Sequence, residues 1–192
     1  MERLLKTCTR LLNILPAHYL DDLIELVLKF APLSLIRKLP FSYGIYAKCF
    51  PRVKAAIVFD CGSHIGNCAI LFSRLVGPKG LVVCLEPFKE SYTKILYRKK
   101  ALRLENVVVI NKGVWKEKKI LPLEIFQKTI SCRLQTDQHK MECRNQSVTI
   151  ECITIDDLVR ELKLERLDYI KMDIEGAEIE ALLGATKTLT TM

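Results

Sequence analysis

No two of the eight cysteines (8, 49, 61, 68, 84, 132, 143 and 152) are spaced Cys-x-x-Cys. That absence removes the commonest zinc and thiol-redox signatures. One looser grouping remains, Cys132, His139, Cys143 and Cys152, at irregular spacing, and no metal ligand set is assigned from it. Cys61, Cys68 and Cys84 fall in or beside apolar runs, where a thiol behaves as a small hydrophobe. This usage points to a reducing, cytoplasmic setting. A long unbroken apolar run is also missing. Asp21, Asp22, Glu25 and Lys29 interrupt the most apolar region, so no membrane span is expected. A secretory leader, a short apolar core before an A-x-A site, is not found either. Acidic residues are in deficit: 22 Asp and Glu stand against 30 Lys and Arg, for a formal charge of +8.

What is present describes a folded protein. The 192 residues, 49% hydrophobic and 27% charged, suffice for one domain with a proper core and are too few for two comfortable ones. The positive charge is concentrated. Between Lys89 and Lys119 ten Lys or Arg face only Glu90, Glu105 and Glu117, a net +7. Such a stretch could attract an acidic substrate or RNA. Only Tyr92, Tyr97 and Trp115 interleave it, however, so a base-stacking platform is poorly supported and a solvated face is preferred; nucleic acid is disfavoured as a partner.

Residues 1–50 read as an N-terminal helical segment. Leu20, Leu23, Ile24, Val27 and Leu28 recur with helical period, and Asp21 and Asp22 suit a helix start. The segment is expected to pack on the domain behind it, with peripheral membrane contact as the functional alternative. From residue 51 to 192 the chain reads as a catalytic module. An apolar run, Ala55 to Phe59, ends in Asp60, passes through Gly62 and Gly66, and enters the helix-forming Asn67 to Val76. This is a strand, glycine loop and helix, the first crossover of an open α/β sheet. A second strand, Leu81 to Leu85, ends at Glu86-Pro87. A helix over Ser91 to Leu104 follows, with Tyr92, Ile95, Leu96 and Leu102 inward, then a third strand, Val107 to Ile110. Two alternating runs, Ile120 to Phe126 and Ser147 to Ile155, predict an antiparallel pair, with Pro122 placing the first at an edge. A polar loop, Gln127 to Gln146, lies between them. A short helix over Asp156 to Leu164, a fourth parallel strand over Leu167 to Met172, and a helix marked by Ile179, Leu182, Leu183 and Leu189 complete the pattern. The fold class is α/β, a doubly wound, mostly parallel, Rossmann-like sheet with an antiparallel hairpin insertion.

In such sheets ligands lie outside the carboxyl ends of the strands. Glu86 follows Gly66 by 20 residues, where an acid holds a nucleoside ribose through its hydroxyls. A nicotinamide dinucleotide would want Gly-x-Gly-x-x-Gly and a P-loop Gly-Lys-Ser/Thr; both are absent. Asp60-x-Gly62-x-x-x-Gly66 suits instead a ligand with positive charge and an amino-acid moiety. S-adenosylmethionine, with its sulfonium, amine and ribose, answers that description.

Asp60-Cys-Gly62-Ser-His-Ile-Gly66, Leu85-Glu86-Pro87, Thr154-Ile-Asp156-Asp157-Leu158 and Ile170-Lys171-Met-Asp173-Ile-Glu175-Gly176-Ala177-Glu178 together resemble the FkbM family of S-adenosylmethionine-dependent methyltransferases. The resemblance runs from about residue 55 to 192. It implies a class I methyltransferase fold in which Asp60, Gly62 and Gly66 line the methionine end of the cofactor. Glu86 would bind the ribose and Asn111 would lie near the adenine, with Ser63, His64 and Pro87 completing the candidate cofactor set. It also implies methylation of a hydroxyl oxygen on a small molecule or glycan.

In-line methyl transfer needs positioning and a base for the departing proton. Asp173 and Glu175 are the candidate base and orienting group, with Lys171 beside them and His64, which replaces the family's loop asparagine, as a further candidate base. A helix-start role for the same residues, Asp173 capping and Glu175 favouring the dipole, is compatible. Paired carboxylates would suit Mg²⁺, but no metal ligand is assigned. The Asn/Asp-Pro-Pro-Tyr turn of amino-group methyltransferases is missing. A non-catalytic cofactor-binding or interaction role, and RNA methylation through residues 89–119, are the alternatives. A seven-stranded sheet would need strands beyond the fourth, so a fragment, or a fourth-strand edge covered by a partner or an oligomer, is expected.

Overall fold

The computed structural model describes residues 17–39, 42–50, 53–126, 131–134 and 146–192. Its centre is a four-stranded parallel sheet of β1 (Ile57–Cys61), β2 (Leu81–Leu85), β3 (Val107–Ile110) and β8 (Tyr169–Met172), in the order β3-β2-β1-β8. β1 and β2 are covered on both faces, which is why their sequences read as continuous apolar runs rather than alternations. Among the described residues β8 pairs on one side only, with β1.

Strand alternation divides the core. Val58, Val82, Cys84 and Val107 face α4 (Asn67–Val76) and the N-terminal helices α1 (Ala17–Phe30), α2 (Leu33–Ile36) and α3 (Ser42–Cys49). Phe59, Cys61, Val83 and Leu85 face Ile155, Leu158 and Ala181 on the other side. α4 is buried along nearly its whole length because it lies between sheet and α1. Arg74 of α4 donates to the carbonyls of Leu28 and Ala31, satisfying the open end of α1. α1 begins at Ala17, so Asp21 and Asp22 fall in its second turn rather than at its start. No described helix is long and apolar enough to cross a membrane.

After β2, α5 spans Lys89–Ala101. Ile95 is buried, as the spacing predicts, but Leu96 is exposed; Arg98 reaches inward instead, to Ile65 O, Asn67 Oδ1 and Glu25. The hairpin is part of a second sheet, β4-β7-β5-β6, built from β4 (Gly113–Val114), β5 (Lys119–Phe126), β6 (Ser131–Leu134) and β7 (Gln146–Ile153). β5 and β7 pair antiparallel. β5 is not an edge strand, because β6 covers its other side. That second ladder begins at Leu123, one residue beyond Pro122, so the proline's missing N–H costs no bond there. The expected loop from 127 to 146 therefore contains a strand. His139 and Cys143 of the loose metal-like grouping lie outside the described residues.

The C-terminal part of the basic stretch is paired. Lys112 pairs with Glu151, Lys116 with Glu180, Lys118 with Asp157 and Glu161, and Lys119 with Glu117. α6 (Ile155–Glu161) opens with Thr154, whose Oγ1 accepts the Asp157 N–H. In place of one final helix there are two short ones, α7 (Glu178–Leu183) and α8 (Thr186–Thr191). Gly184 lies between them, and a Cβ there would lie 2.4 Å from Trp115 O, so the close approach of the two segments requires glycine. Their buried residues are Ala181, Ala185 and Thr188, whereas Ile179, Leu182, Leu183 and Leu189, the residues that mark a helix in the sequence, are exposed. Asp156 takes the N–H groups of Lys187 and Thr188 and the Thr188 hydroxyl, tying α8 to α6.

Candidate active site

The glycine loop after β1 and the turn after β8 are built as one piece. Asp60 and Lys171 stand directly opposite in the β1–β8 register. Lys171 Nζ lies 3.1 Å from Asp60 Oδ1 and donates to Gly62 O at 2.8 Å. Asp60 is fully enclosed and Lys171 nearly so. Burial works against the ammonium, but Asp60 beside it more than offsets this and holds its pKa above the ordinary lysine value. The Asp173 N–H donates to Cys61 O. At Gly62 φ is +75° and a Cβ would lie 2.1 Å from Asp173 O, so only glycine admits the approach of the two segments. The turn continues through Glu175 (φ +55°) and Gly176 (φ +97°), and Glu178 closes it by accepting the Ile174 N–H. Asp173 is not a helix cap; α7 begins later, after Ala177. A left-handed, non-glycine Glu175 is a strained conformation of the kind concentrated at functional sites.

Glu86 ends β2 against this loop. Its Oε2 accepts the His64 N–H at 2.7 Å and its Oε1 the Phe88 N–H at 3.0 Å. Each oxygen keeps a further lone pair. Burial pushes the carboxyl up to about 7, with the two N–H donors resisting the rise. Asn111 donates to Glu86 O and Pro87 O, fixing the strand end from behind.

A cleft opens at the carboxyl ends of the parallel strands, the expected place for a ligand. The residues brought together in it are Gly62, His64, Glu86, Pro87, Asp173 and Glu175. Asp60, Ser63, Gly66, Asn111 and Lys171 do not line it. Ser63 Oγ donates to Asp60 O, Gly66 N–H to Ser63 O, and Lys171 is spent on Asp60 and the loop. Asp60, Ser63, Gly66 and Lys171 shape the loop and Asn111 braces the end of β2, rather than facing the cleft. The remaining wall was not singled out in the sequence: Leu85, Ser91, Lys112, Gly113, Val114, Leu123 and Ile174. The alternation of the hairpin marks Leu123 as one of its inward residues, but nothing in it shows that this sheet closes a cleft. The enclosed part measures about 220 Å³, and the exposed Asp173 and Glu175 mark its mouth. An acid with spare lone pairs, a close-approach glycine and the apolar Leu85, Val114 and Ile174 fit a nucleoside ligand that extends into an open mouth.

Asp173 and Glu175 gain no third ligand: among the described residues no group of three or more His, Cys, Asp or Glu could hold a metal ion. The Mg²⁺ reading is therefore without support. Burial pushes the Cys61 thiol up to about 12 and raises those of Cys68 and Cys84 as well, so these three are core residues and not nucleophiles.

Residues 60–192 match the methyltransferase FkbM domain. No curated protein matches the chain. Among solved structures, a SAM-dependent methyltransferase from Aquifex aeolicus is similar at 22% identity over 57% of this chain and 52% of that one, with a TM-score of 0.36. A protein-L-isoaspartate O-methyltransferase is similar at 20% identity over 58% of this chain and 42% of that one, with a TM-score of 0.37. The matched part thus spans about half of those proteins or less.

Proposed function

The chain belongs to the FkbM methyltransferase family, and from that premise we propose that it methylates a hydroxyl oxygen of a small molecule or glycan, with S-adenosylmethionine as donor. The observation that carries the reading is the cleft itself. Glu86 is held in place by two backbone N–H groups beside a loop that only glycine permits, with Asp173 and Glu175 across from it. When bound, the cofactor supplies an electrophilic methyl on a cationic sulfur.

The residues divide the remaining work. Glu86 offers its spare lone pairs to the ribose hydroxyls, and the Gly62 segment lets the backbone approach the amino-acid end. Val114, Leu123 and Ile174 exclude water from the apolar part of the cleft. Asp173 and Glu175, at the mouth, orient the acceptor and take its proton, with His64 as a second candidate base. Lys171 is a positioning residue, since its ammonium is committed to Asp60 and Gly62 O. The free, buried thiols at Cys61, Cys68, Cys84 and Cys152 support a cytoplasmic location.

The test is transfer of a labelled methyl group from S-adenosylmethionine to a panel of hydroxyl-bearing sugars and small molecules. Wild-type chain should label at least one, and Asp173→Asn should lose turnover while retaining S-adenosylhomocysteine binding. A folded chain that binds S-adenosylhomocysteine but labels nothing would replace this reading with a non-catalytic cofactor-binding role.

A further inference from the structure

At the amino-terminal end of the parallel strands, opposite the cleft, a second concavity of about 460 Å³ lies between α2, the segment before β1 and the turn before β2. Its floor is apolar, with Leu33, Phe50 and Leu75 among its residues, and its rim carries Arg37, Lys54 and Lys79. Among the described residues no carboxylate lines it. Among the described residues none of these three cations has an ion-pair partner. Asp168, at the same end of the sheet, is taken up by Arg166 and the Ile57 N–H. An apolar floor under an uncompensated cationic rim is complementary to an amphiphile with an anionic head.

The surface beside the concavity extends the pattern. Phe30 is 71% exposed and Leu26 59%, and their spacing of four places both on one face of α1. Phe30 precedes Leu33 by three residues, hence lies within about 11 Å of it. Val53, on the rim, is also exposed, as is Lys38 next to Arg37. A soluble anion would answer the cations but leave Phe30 and Leu26 in water. A bilayer interface answers both.

We propose that this end of the molecule docks on a membrane surface bearing acidic phospholipids, with the Arg37–Lys54–Lys79 rim on headgroups and Phe30 and Leu26 at the acyl boundary. Because β1 is five residues long, the cleft is then held about 17 Å further from the bilayer and faces away from it.

Co-sedimentation of the full chain with vesicles of phosphatidylcholine, with and without about 30 mol% phosphatidylserine, tests this. Binding to the anionic vesicles alone, weakened by salt, is expected. The double substitution Lys54→Glu/Lys79→Glu should weaken it at least about tenfold, and Phe30→Ser should weaken it with the charges intact. Both variants should keep the wild-type melting temperature and S-adenosylhomocysteine affinity. Equal partitioning onto neutral vesicles, or an unchanged charge-reversal variant, would overturn the proposal. So would displacement by soluble glycerophosphate, which would reassign the concavity to a soluble anion.

Discussion

Lowering the pH from 8 to 6 should loosen cofactor binding and tighten the empty fold, and both effects trace to Glu86. Burial raises its carboxyl from 4.5 to about 7 in the folded chain. Folding therefore favours the protonated form. The stabilisation is complete below the unfolded value and is lost as pH rises through about 7, a contribution of about 3 kcal/mol at most. The ribose hydroxyls need the ionised form as acceptor, so binding runs the other way. With one ionisation near 7, apparent affinity for S-adenosylhomocysteine should fall about tenfold between pH 8 and pH 6. Glu86→Gln removes the ionisation and also turns an amide N–H₂ toward one of the two backbone donors at His64 and Phe88. It should weaken binding at pH 8 by about 10- to 100-fold, since hydrogen bonds to charged groups contribute about 1.5–3 kcal/mol. Its affinity should no longer vary over this pH range. Calorimetric titration at four pH values, with thermal melts of the unliganded proteins alongside, measures both slopes. A wild-type affinity that is flat from pH 6 to 8, or a glutamine variant that keeps the wild-type slope, would refute the assignment of Glu86 as the ribose acceptor.

Lys171→Met strands the enclosed Asp60 carboxylate and should destabilise the chain by about 3–5 kcal/mol in urea unfolding, with Asp60→Asn/Lys171→Met recovering much of the loss. Were the double variant no better than the single, the pair would not be the cause. Gly62→Ala places a Cβ 2.1 Å from Asp173 O; it should cost about 2 kcal/mol or more and abolish cofactor binding, whereas wild-type stability would show that the β8 turn yields freely. Asp156→Ala releases the two N–H groups and the hydroxyl that hold α8. Amide exchange over residues 186–192 should rise before the parallel sheet is affected, and protection equal to wild type would mean that Ala185 and Thr188 packing alone secures that helix.

The parallel sheet was legible because its strands leave two kinds of mark at once. The apolar runs of β1 and β2 close on the carboxylates Asp60, near the end of β1, and Glu86, just after β2, so both their burial and their direction are written in the residues. The last helices were legible as helix but not in how they pack, for a physical reason. Their contact with the sheet is made by Ala181, Ala185 and Thr188, small residues that carry little periodic signal, while the larger Ile179, Leu182 and Leu189 point outward. Leu96 failed similarly, since Arg98 fills the inward position with an apolar stem and a guanidinium that donates to several acceptors. In the site, sequence identifies which residues carry charge but not which face they take. Asp60 and Lys171 look like site residues in the chain and are sealed beneath the loop by the strand register. Lys112 and Leu123 enter the cleft only because the second sheet forms one of its walls, a tertiary fact with no local signature.

Because Lys171 answers both Asp60 and the Gly62 carbonyl, the glycine loop and the turn after β8 cannot drift independently. Any lineage that exchanges one member of the charge pair passes through an intermediate with an unmatched buried ion. The two positions, 111 residues apart in the chain, should therefore be inherited as a unit. Relatives that have lost the lysine should carry a neutral residue opposite it. Such relatives would also need another donor for the loop carbonyl, and where none is supplied the loop would have lost its shape along with its partner.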